Sequence, residues 1–321
     1  MSAIVVLGSA NMDLVVRQPR LPRPGETMFG SSFATVAGGK GLNQAIAAAR
    51  VGGDVAFLGA LGGDAFGREL REALEAAGVG TDGIALVERP TGTAHISVLD
   101  GGENAIVVVP DANGVELPLD DVQRAAIAAA RYLVVQFERP LALVAEAVAF
   151  ARSVGVATVV TPAPVLPLPE DFLDAVDILV PNAGEARELA GIDDETDAAR
   201  ALSRRVGTVV MTRGARGALV ARGGEIVAQV APHPVTPVDT TGAGDTFTGV
   251  LVARLAAGDD EPRALRAAAV AAALATTRPG ASPSMPTWAE VTPLLSARSA
   301  CLLPKERAQT RGTGTIEGGG D

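Results

Sequence analysis

Six short runs rich in β-branched and aliphatic residues punctuate this chain, at 4–7, 55–58, 132–136, 156–160, 178–180 and 208–211, each bounded by Gly, Pro, Asn or Asp. Helical patterns lie between them. Leu42, Ala45, Ile46 and Ala49 follow one helix face, as do Phe66, Leu70, Ala73, Leu74 and Ala77 ahead of Gly78, a natural helix stop. Such alternation calls for an α/β architecture with a mainly parallel central sheet covered by helices on both faces, because parallel neighbours need long crossover connections.

Two stretches break the alternation, 13–36 with its Pro and Gly turns and 93–109. The second reads as a hairpin: strands 93–99 and 105–109 joined by Asp100-Gly101-Gly102-Glu103-Asn104, residues that tolerate positive φ. Together they are expected to form a small antiparallel β lid able to cover a site. A small sheet needs a partner surface, either the main domain or a second subunit, so a homodimer through the lid is expected. The Gly-rich stretch 300–321 lacks any apolar period and is expected to be a disordered tail, leaving 1–299 as the folded domain.

With 321 residues, 48% of them hydrophobic, the chain can bury a large core. A net charge of −10 argues against tracking a nucleic-acid backbone. Cys301 is the single cysteine, which excludes an intrachain disulfide and a cysteine metal cluster and fits a reducing compartment. The N-terminus carries no basic leader, and no apolar run approaches the roughly 18 residues a bilayer span requires. The expected location is cytoplasmic, with no membrane partner.

Chemistry concentrates at Val238-Asp239-Thr240-Thr241-Gly242-Ala243-Gly244-Asp245-Thr246-Phe247, a glycine-rich turn that ends in a carboxylate and leads straight into a helical apolar pattern. Small residues let N–H groups at a helix N-terminus approach a phosphate closely. Asp245 there either caps the helix or accepts a proton from a hydroxyl attacking that phosphate. Other polar residues follow the strand-like runs, where open α/β sheets bind ligands. Asn11 and Asp13 come after the first run and are turn residues or hydroxyl ligands. Gly38-Gly39-Lys40-Gly41-Leu42-Asn43 opens the helix after the lid with backbone donors, one cation and one amide; Ala34 and Gly41 stand where a Walker A loop needs Gly and Ser or Thr. Glu138 binds a hydroxyl or caps the next helix. Asn182 and Glu185 have the spacing of a capping box, yet a Glu beside phosphates also suits magnesium held through water. Thr212-Arg213-Gly214-Ala215-Arg216-Gly217 is a tight turn that could accept a flat ring. His95 and His233, isolated, are assigned no role; the Ala-rich helix 263–277 is core first, with at most a face against an adenine, and Trp288 is a packing anchor.

From residue 4 to about 295 the chain resembles the ribokinase, or phosphofructokinase-B (PfkB), family of carbohydrate kinases. Two signatures carry the resemblance, Gly38-Gly39-Lys40-Gly41-Leu42-Asn43-Gln44-Ala45 and Asp239-Thr240-Thr241-Gly242-Ala243-Gly244-Asp245-Thr246-Phe247. Between them the order also matches: Asn11-x-Asp13, Pro24-Gly25-Glu26, Gln136-x-Glu138, Pro181-Asn182-x-x-Glu185 and Gly214-x-x-Gly217. The resemblance implies a three-layer α/β/α domain with a β lid and an ATP-dependent sugar kinase. By it, Asn11, Asp13, Gly39, Lys40, Asn43 and Glu138 bind sugar hydroxyls, Asp245 is the general base, and Gly242, Ala243 and Gly244 form the anion hole. Asn182 and Glu185 serve the phosphates and Mg²⁺, while Thr212, Gly214, Ala215, Gly217 and Gly244 bind the nucleotide. Asp239, Thr241, Ala275, Arg278, Gly280 and Ser284 fit an activating monovalent cation, K⁺ in the first instance. Thr161-Pro162-Ala163-Pro164 replaces the family's usual Asn-Pro-Ala-Pro, and Ala183-Gly184 replaces bulkier polar residues. Both departures leave room for a sugar other than ribose, so a kinase for 2-deoxyribose, another sugar or a nucleoside is the alternative, and a non-catalytic sugar sensor a distant third.

Overall fold

The computed structural model describes residues 2–101 and 103–295. The expected tail, 300–321, lies outside the described residues. The N-terminal half runs β1 (Ile4–Leu7), β2 (Asn11–Gln18), β3 (Ser32–Gly38), α1 (Lys40–Arg50), β4 (Val55–Gly62), α2 (Ala65–Ala76), β5 (Ile84–Val87), β6 (Thr93–Leu99) and β7 (Asn104–Val109). Then come α3 (Asp121–Ala129), β8 (Tyr132–Val135), α4 (Leu141–Ser153), β9 (Ala157–Val160), β10 (Ile178–Leu179), α5 (Ala183–Ala190) and α6 (Glu195–Leu202). The last part is β11 (Thr208–Thr212), β12 (Ala218–Arg222), β13 (Glu225–Val230), α7 (Ala243–Ala256), α8 (Glu261–Ala275) and α9 (Trp288–Leu295).

The large sheet has the order β13-β12-β11-β10-β9-β8-β1-β4-β5. From β11 to β5 every pairing is parallel, and β12 and β13 close one edge as an antiparallel meander. Alternate residues of β1 go to opposite faces, as the period of two requires. Ile4 and Val6 enter a core shared with α1, α7 and α8, whereas Val5 and Leu7 enter a second core with Ile127, Val144 and Leu202 of α3, α4 and α6. Helices therefore cover both faces, as expected from the alternation.

The small sheet, ordered β3-β2-β6-β7, is the lid. Its outer pairs, β2 with β3 and β6 with β7, are antiparallel, and its central pair β2–β6 runs parallel. The two stretches thus share one small sheet as expected, but the parallel central pair departs from the wholly antiparallel lid that the sequence suggested, because β6 enters beside β2 from a distant part of the chain. The lid leaves large apolar side chains in solvent, with Phe29 at 95%, Phe33 at 64% and Val107 at 65% exposure.

Two helix starts are built on glycine. Asp64, Asp120, Asn182, Asp194 and Asp260 cap α2, α3, α5, α6 and α8 through side-chain oxygens, the last reinforced by Pro262. By contrast α1 and α7 begin at Gly39 (φ 92°) and Gly242 (φ 73°) with no capping side chain. These two helices cross very closely. A Cβ on Gly249 of α7 would fall 2.4 Å from the Gln44 carbonyl oxygen and 2.9 Å from the Ala47 Cβ on α1. The same crossing sets the α7 residue one turn earlier, Asp245, against Asn43 and Gln44. Gly249→Ala is expected to cost about 1–3 kcal/mol of stability through overpacking, which urea unfolding would measure.

Candidate active site

The base candidate occupies the first turn of α7. Asp245 is buried at 9% exposure; Asn43 Nδ2 donates to its Oδ2 (3.2 Å) and Gln44 Nε2 donates to its Oδ1 (3.0 Å). Burial pushes its carboxyl above the usual range, opposed by the Lys40 ammonium and the Gln44 and Asn43 amides, and reinforced by Glu138. Asn43, expected to bind sugar, thus also holds Asp245, and its own Oδ1 is buried without a partner. That free acceptor is available to a hydroxyl.

The first turn of α1 supplies the opposite wall. Its Lys40 N–H donates to Glu138 Oε2 (3.0 Å), and Ser9 Oγ donates to the same oxygen. Glu138 therefore does not cap the helix that follows it: α4 starts at Pro140 with no side-chain cap, and Glu138 reaches across to α1 instead. A carboxylate there also meets the positive end of the α1 dipole. Gly39 and Gly41 permit the approach, since a Cβ would lie 2.9 Å from Ala10 Cα or 2.7 Å from Gly8 Cα, respectively. Burial disfavours charge on Lys40, but Asp245, Glu138 and Glu185 outweigh it and raise its pKa.

Asn11 and Asp13 sit at the start of lid strand β2, both buried. Asn113, just past β7, donates through Nδ2 to Asn11 Oδ1 (2.8 Å) and Ala10 O (2.9 Å), and Arg139 donates to the carbonyls of Ala112 and Asn113. With its Oδ1 engaged, Asn11 presents its amide nitrogen as a donor. Gly38 leaves the space that the Asp13 carboxylate fills: a Cβ there would fall 2.2 Å from Oδ2. The sequence gives no sign of Asn113 or Arg139, because both arrive from elements remote in the chain.

On the other side of α7 lies a cavity of about 450 Å³. Thr212, Gly214, Ala215, Gly217, Ala243 and Gly244 line it, together with Ala269, Ala272 and Ala273 of α8. The turn after β11 thus joins Ala243 and Gly244 at the start of α7 in one mainly apolar cleft suited to a flat base with phosphates at one end. His233, assigned no role from the sequence, lines this cavity with Pro232 and Pro234. Its signal was the proline-flanked segment leading to the glycine turn. Asn182 and Glu185 stand beside it, Asn182 bridging to Thr212 in parallel register. Their capping box is formed, with Asn182 N donating to Glu185 Oε2 (2.8 Å) and Glu185 N to Asn182 Oδ1 (2.9 Å).

Of the proposed cation residues, hydrogen bonds bring Asp239, Thr241 and Gly280 together. Asp239 Oδ1 accepts from the Thr241 N–H (2.9 Å) and Oγ1 (2.6 Å), and its Oδ2 accepts from Gly280 N (2.8 Å). Arg278 turns its guanidinium to Glu290 and Ser284 donates to Ala281 O. Only the backbone carbonyl of Arg278 is left to serve a cation. Arg50 of α1 donates to the carbonyls of Ser282 and Met285 (2.7 Å each), while Ser282 Oγ donates to Ala37 O at the root of the lid.

Asp13 generates a pH dependence. Burial first, then Glu138 and Asp245, raise its pKa from 3.8 to about 7. Across that window the folded chain keeps a proton the unfolded chain has lost, so stability falls as pH rises from about 4 to about 7. Asp13→Asn is expected to flatten this fall, and thermal unfolding followed across the window would show it.

Residues 1–288 match the family model described as pfkB family carbohydrate kinase. The chain is 40% identical over 303 residues to a ribokinase of Bacillus subtilis, covering 92% of this chain and all of that one. It is 38% identical over 295 residues to a ribokinase of Haemophilus influenzae, covering 89% and 96% respectively. Among solved structures, that of Arabidopsis thaliana ribokinase complexed with ribose and ATP superposes with a TM-score of 0.86 at 33% identity, covering 92% of this chain and 99% of that one. With a buried carboxylate at the uncapped start of α7 and a base-sized cleft beyond it, the chain belongs to the pfkB family of carbohydrate kinases and is an ATP-dependent sugar kinase.

Proposed function

We propose that the sugar is D-ribose and that the chain transfers the γ-phosphoryl group of ATP to its 5-hydroxyl. The observation that carries this reading is Asp245: a buried carboxylate held by two amides at the N-terminus of a helix that no side chain caps. Asn11, Asp13, Gly39, Lys40, Asn43 and Glu138 bind the sugar hydroxyls and orient O5. Asp245 takes the O5 proton as the O5–Pγ bond forms and the bond from Pγ to the bridging oxygen breaks, releasing ADP. N–H groups of Gly242, Ala243 and Gly244 receive the charge that develops on the transferred group. A Cβ on Gly244 would meet no protein atom, which leaves open the space a phosphate needs. Thr212, Gly214, Ala215 and Gly217 hold the adenine end, and His233 borders the same cleft.

The metal assignments fit the residues present. The capping box engages Glu185 through Oε2, so its Oε1, with Asn182, would hold a water of nucleotide-bound Mg²⁺. When bound, that ion supplies charge neutralisation on the phosphates. Among the described residues no three His, Cys, Asp or Glu converge as a metal site, in keeping with an ion carried by the nucleotide. Asp239, Thr241 and the carbonyls of Ala275, Arg278, Gly280 and Ser284 would hold K⁺ beside the turn that positions Gly242. Residues 1–299 act as one cytoplasmic kinase domain; among those described, no helix is long and apolar enough to cross a membrane. Two lids pair through the exposed Phe33 and Val107 faces to form a homodimer.

ATP consumption with ribose, 2-deoxyribose, fructose, adenosine and pseudouridine tests the substrate, with K⁺ present or absent. Highest turnover on ribose, stimulated by K⁺, is expected; preference for another compound would move the substrate and keep the mechanism. Asp245→Asn is expected to lower turnover at least ~10²-fold with folding intact, and near-normal turnover would remove Asp245 as the base. Phe33→Asp combined with Val107→Asp is expected to halve the mass seen by analytical ultracentrifugation.

A further inference from the structure

Two glutamines without a role in the reaction as described lie fully buried behind Asp245, Gln44 on α1 and Gln136 just after β8. Burying an amide is costly unless its polar atoms are satisfied. Gln136 Nε2 donates to Gln44 Oε1 (2.7 Å), and Gln44 Nε2 donates both to Asp245 Oδ1 (3.0 Å) and to Thr161 Oγ1 (3.3 Å). Thr161 in turn lies 3.5 Å from the Thr248 hydroxyl. Gln136 Oε1 is left with no partner at all, so the fold tolerates an orphaned acceptor in order to keep the donor pointed at Gln44. Room for that oxygen comes from Gly8, where a Cβ would fall 2.2 Å away.

We infer that Gln136 and Gln44 form a buried amide relay that fixes the orientation of the Asp245 carboxylate, making both of them positioning residues for proton transfer. Exchange of the Gln44 oxygen and nitrogen would set oxygen against the Asp245 carboxylate and amide against the Gln136 amide. Gln136 blocks that exchange. Asn43 holds the other carboxylate oxygen, so both oxygens are fixed from α1 while the remaining lone pairs stay available to the hydroxyl proton. Thr161 completes the same network without reaching Asp245.

The relay rests on Asp245 being the base, and the experiment separates the two. Gln44→Leu and Gln136→Leu, singly and together, are compared with the unaltered chain and with Asp245→Asn. The rate of phosphoryl transfer in a single turnover is measured against pH, with sugar affinity and thermal unfolding alongside, using the sugar of highest turnover. Charged groups facing Asp245 are Lys40 on α1, Glu138 after β8, Glu185 on α5 and Asp13 on β2; neither leucine variant alters any of them. Loss of the Gln44 donor destabilises the ionised carboxylate, so the acid limb should move up by about one pH unit. The transfer rate should fall about tenfold in Gln136→Leu, which touches neither Asp245 nor a proposed sugar ligand, with sugar affinity changed less than twofold. The double variant should be no slower than Gln44→Leu alone. Unchanged rate and pH limb in Gln136→Leu, or losses that simply multiply in the double variant, would overturn the relay. Should Gln44→Leu fail to fold, Gln136→Leu still decides by its rate and pH limb. Asp245→Asn inactive beside a normal Gln136→Leu removes only the relay; an active Asp245→Asn removes the base and the relay with it.

Discussion

The close crossing of α1 and α7 is the contact on which the site depends. Because Gly249 carries no side chain, the backbone of α1 comes against α7, and two helix starts from opposite ends of the chain meet. Neither start has a capping side chain. One brings Lys40, Asn43 and Gln44, the other Asp245. At α2, α3, α5, α6 and α8 an Asp or Asn satisfies leading N–H groups; at α7 no side chain does, which leaves them open to an anion.

Charge balance follows from that meeting. Asp13, Glu138 and Asp245 gather around one lysine, and burial first, then the charges of Glu138 and Asp245, push the Asp13 carboxyl up to about 7. A polyol donating several hydroxyl protons is well matched to such a surface, since each donated hydrogen bond favours the ionised carboxylate.

Much of this was legible in the sequence because local rules set it. The alternation of runs and stripes gave the layers, since strand and helix periods are local. Gly39 and Gly242 marked the two special helix starts for the same reason, and Asn182 with Glu185 forms the capping box that their spacing suggested. What stayed hidden depends on register between distant elements. Nothing in residues 93–99 says that β6 lies parallel to β2, and nothing near Asn113 says that it will orient Asn11. Gln44 and Gln136 sit inside recognisable motifs, yet only their meeting behind Asp245 gives them work. His233 was passed over because its partners in the cavity, the alanines of α8, come from a separate helix. Strand ends shifted by a residue or two, as at Gln136 and Val180, where the last hydrogen bond of the ladder decides.

The division of the site between the two halves of the chain has a consequence for how it can change. In the proposed reading, lid strand β2 and the start of α1 contribute to the sugar side, while the turn after β11 and the face of α8 build the nucleotide side. In that arrangement, substitutions confined to one side are expected to combine with those on the other as independent factors in sugar choice and nucleotide affinity. Only pairs across the α1–α7 seam escape that rule. Drift in substrate preference is therefore cheap in β2 and the lid, and the seam is the part of the molecule that must be inherited whole.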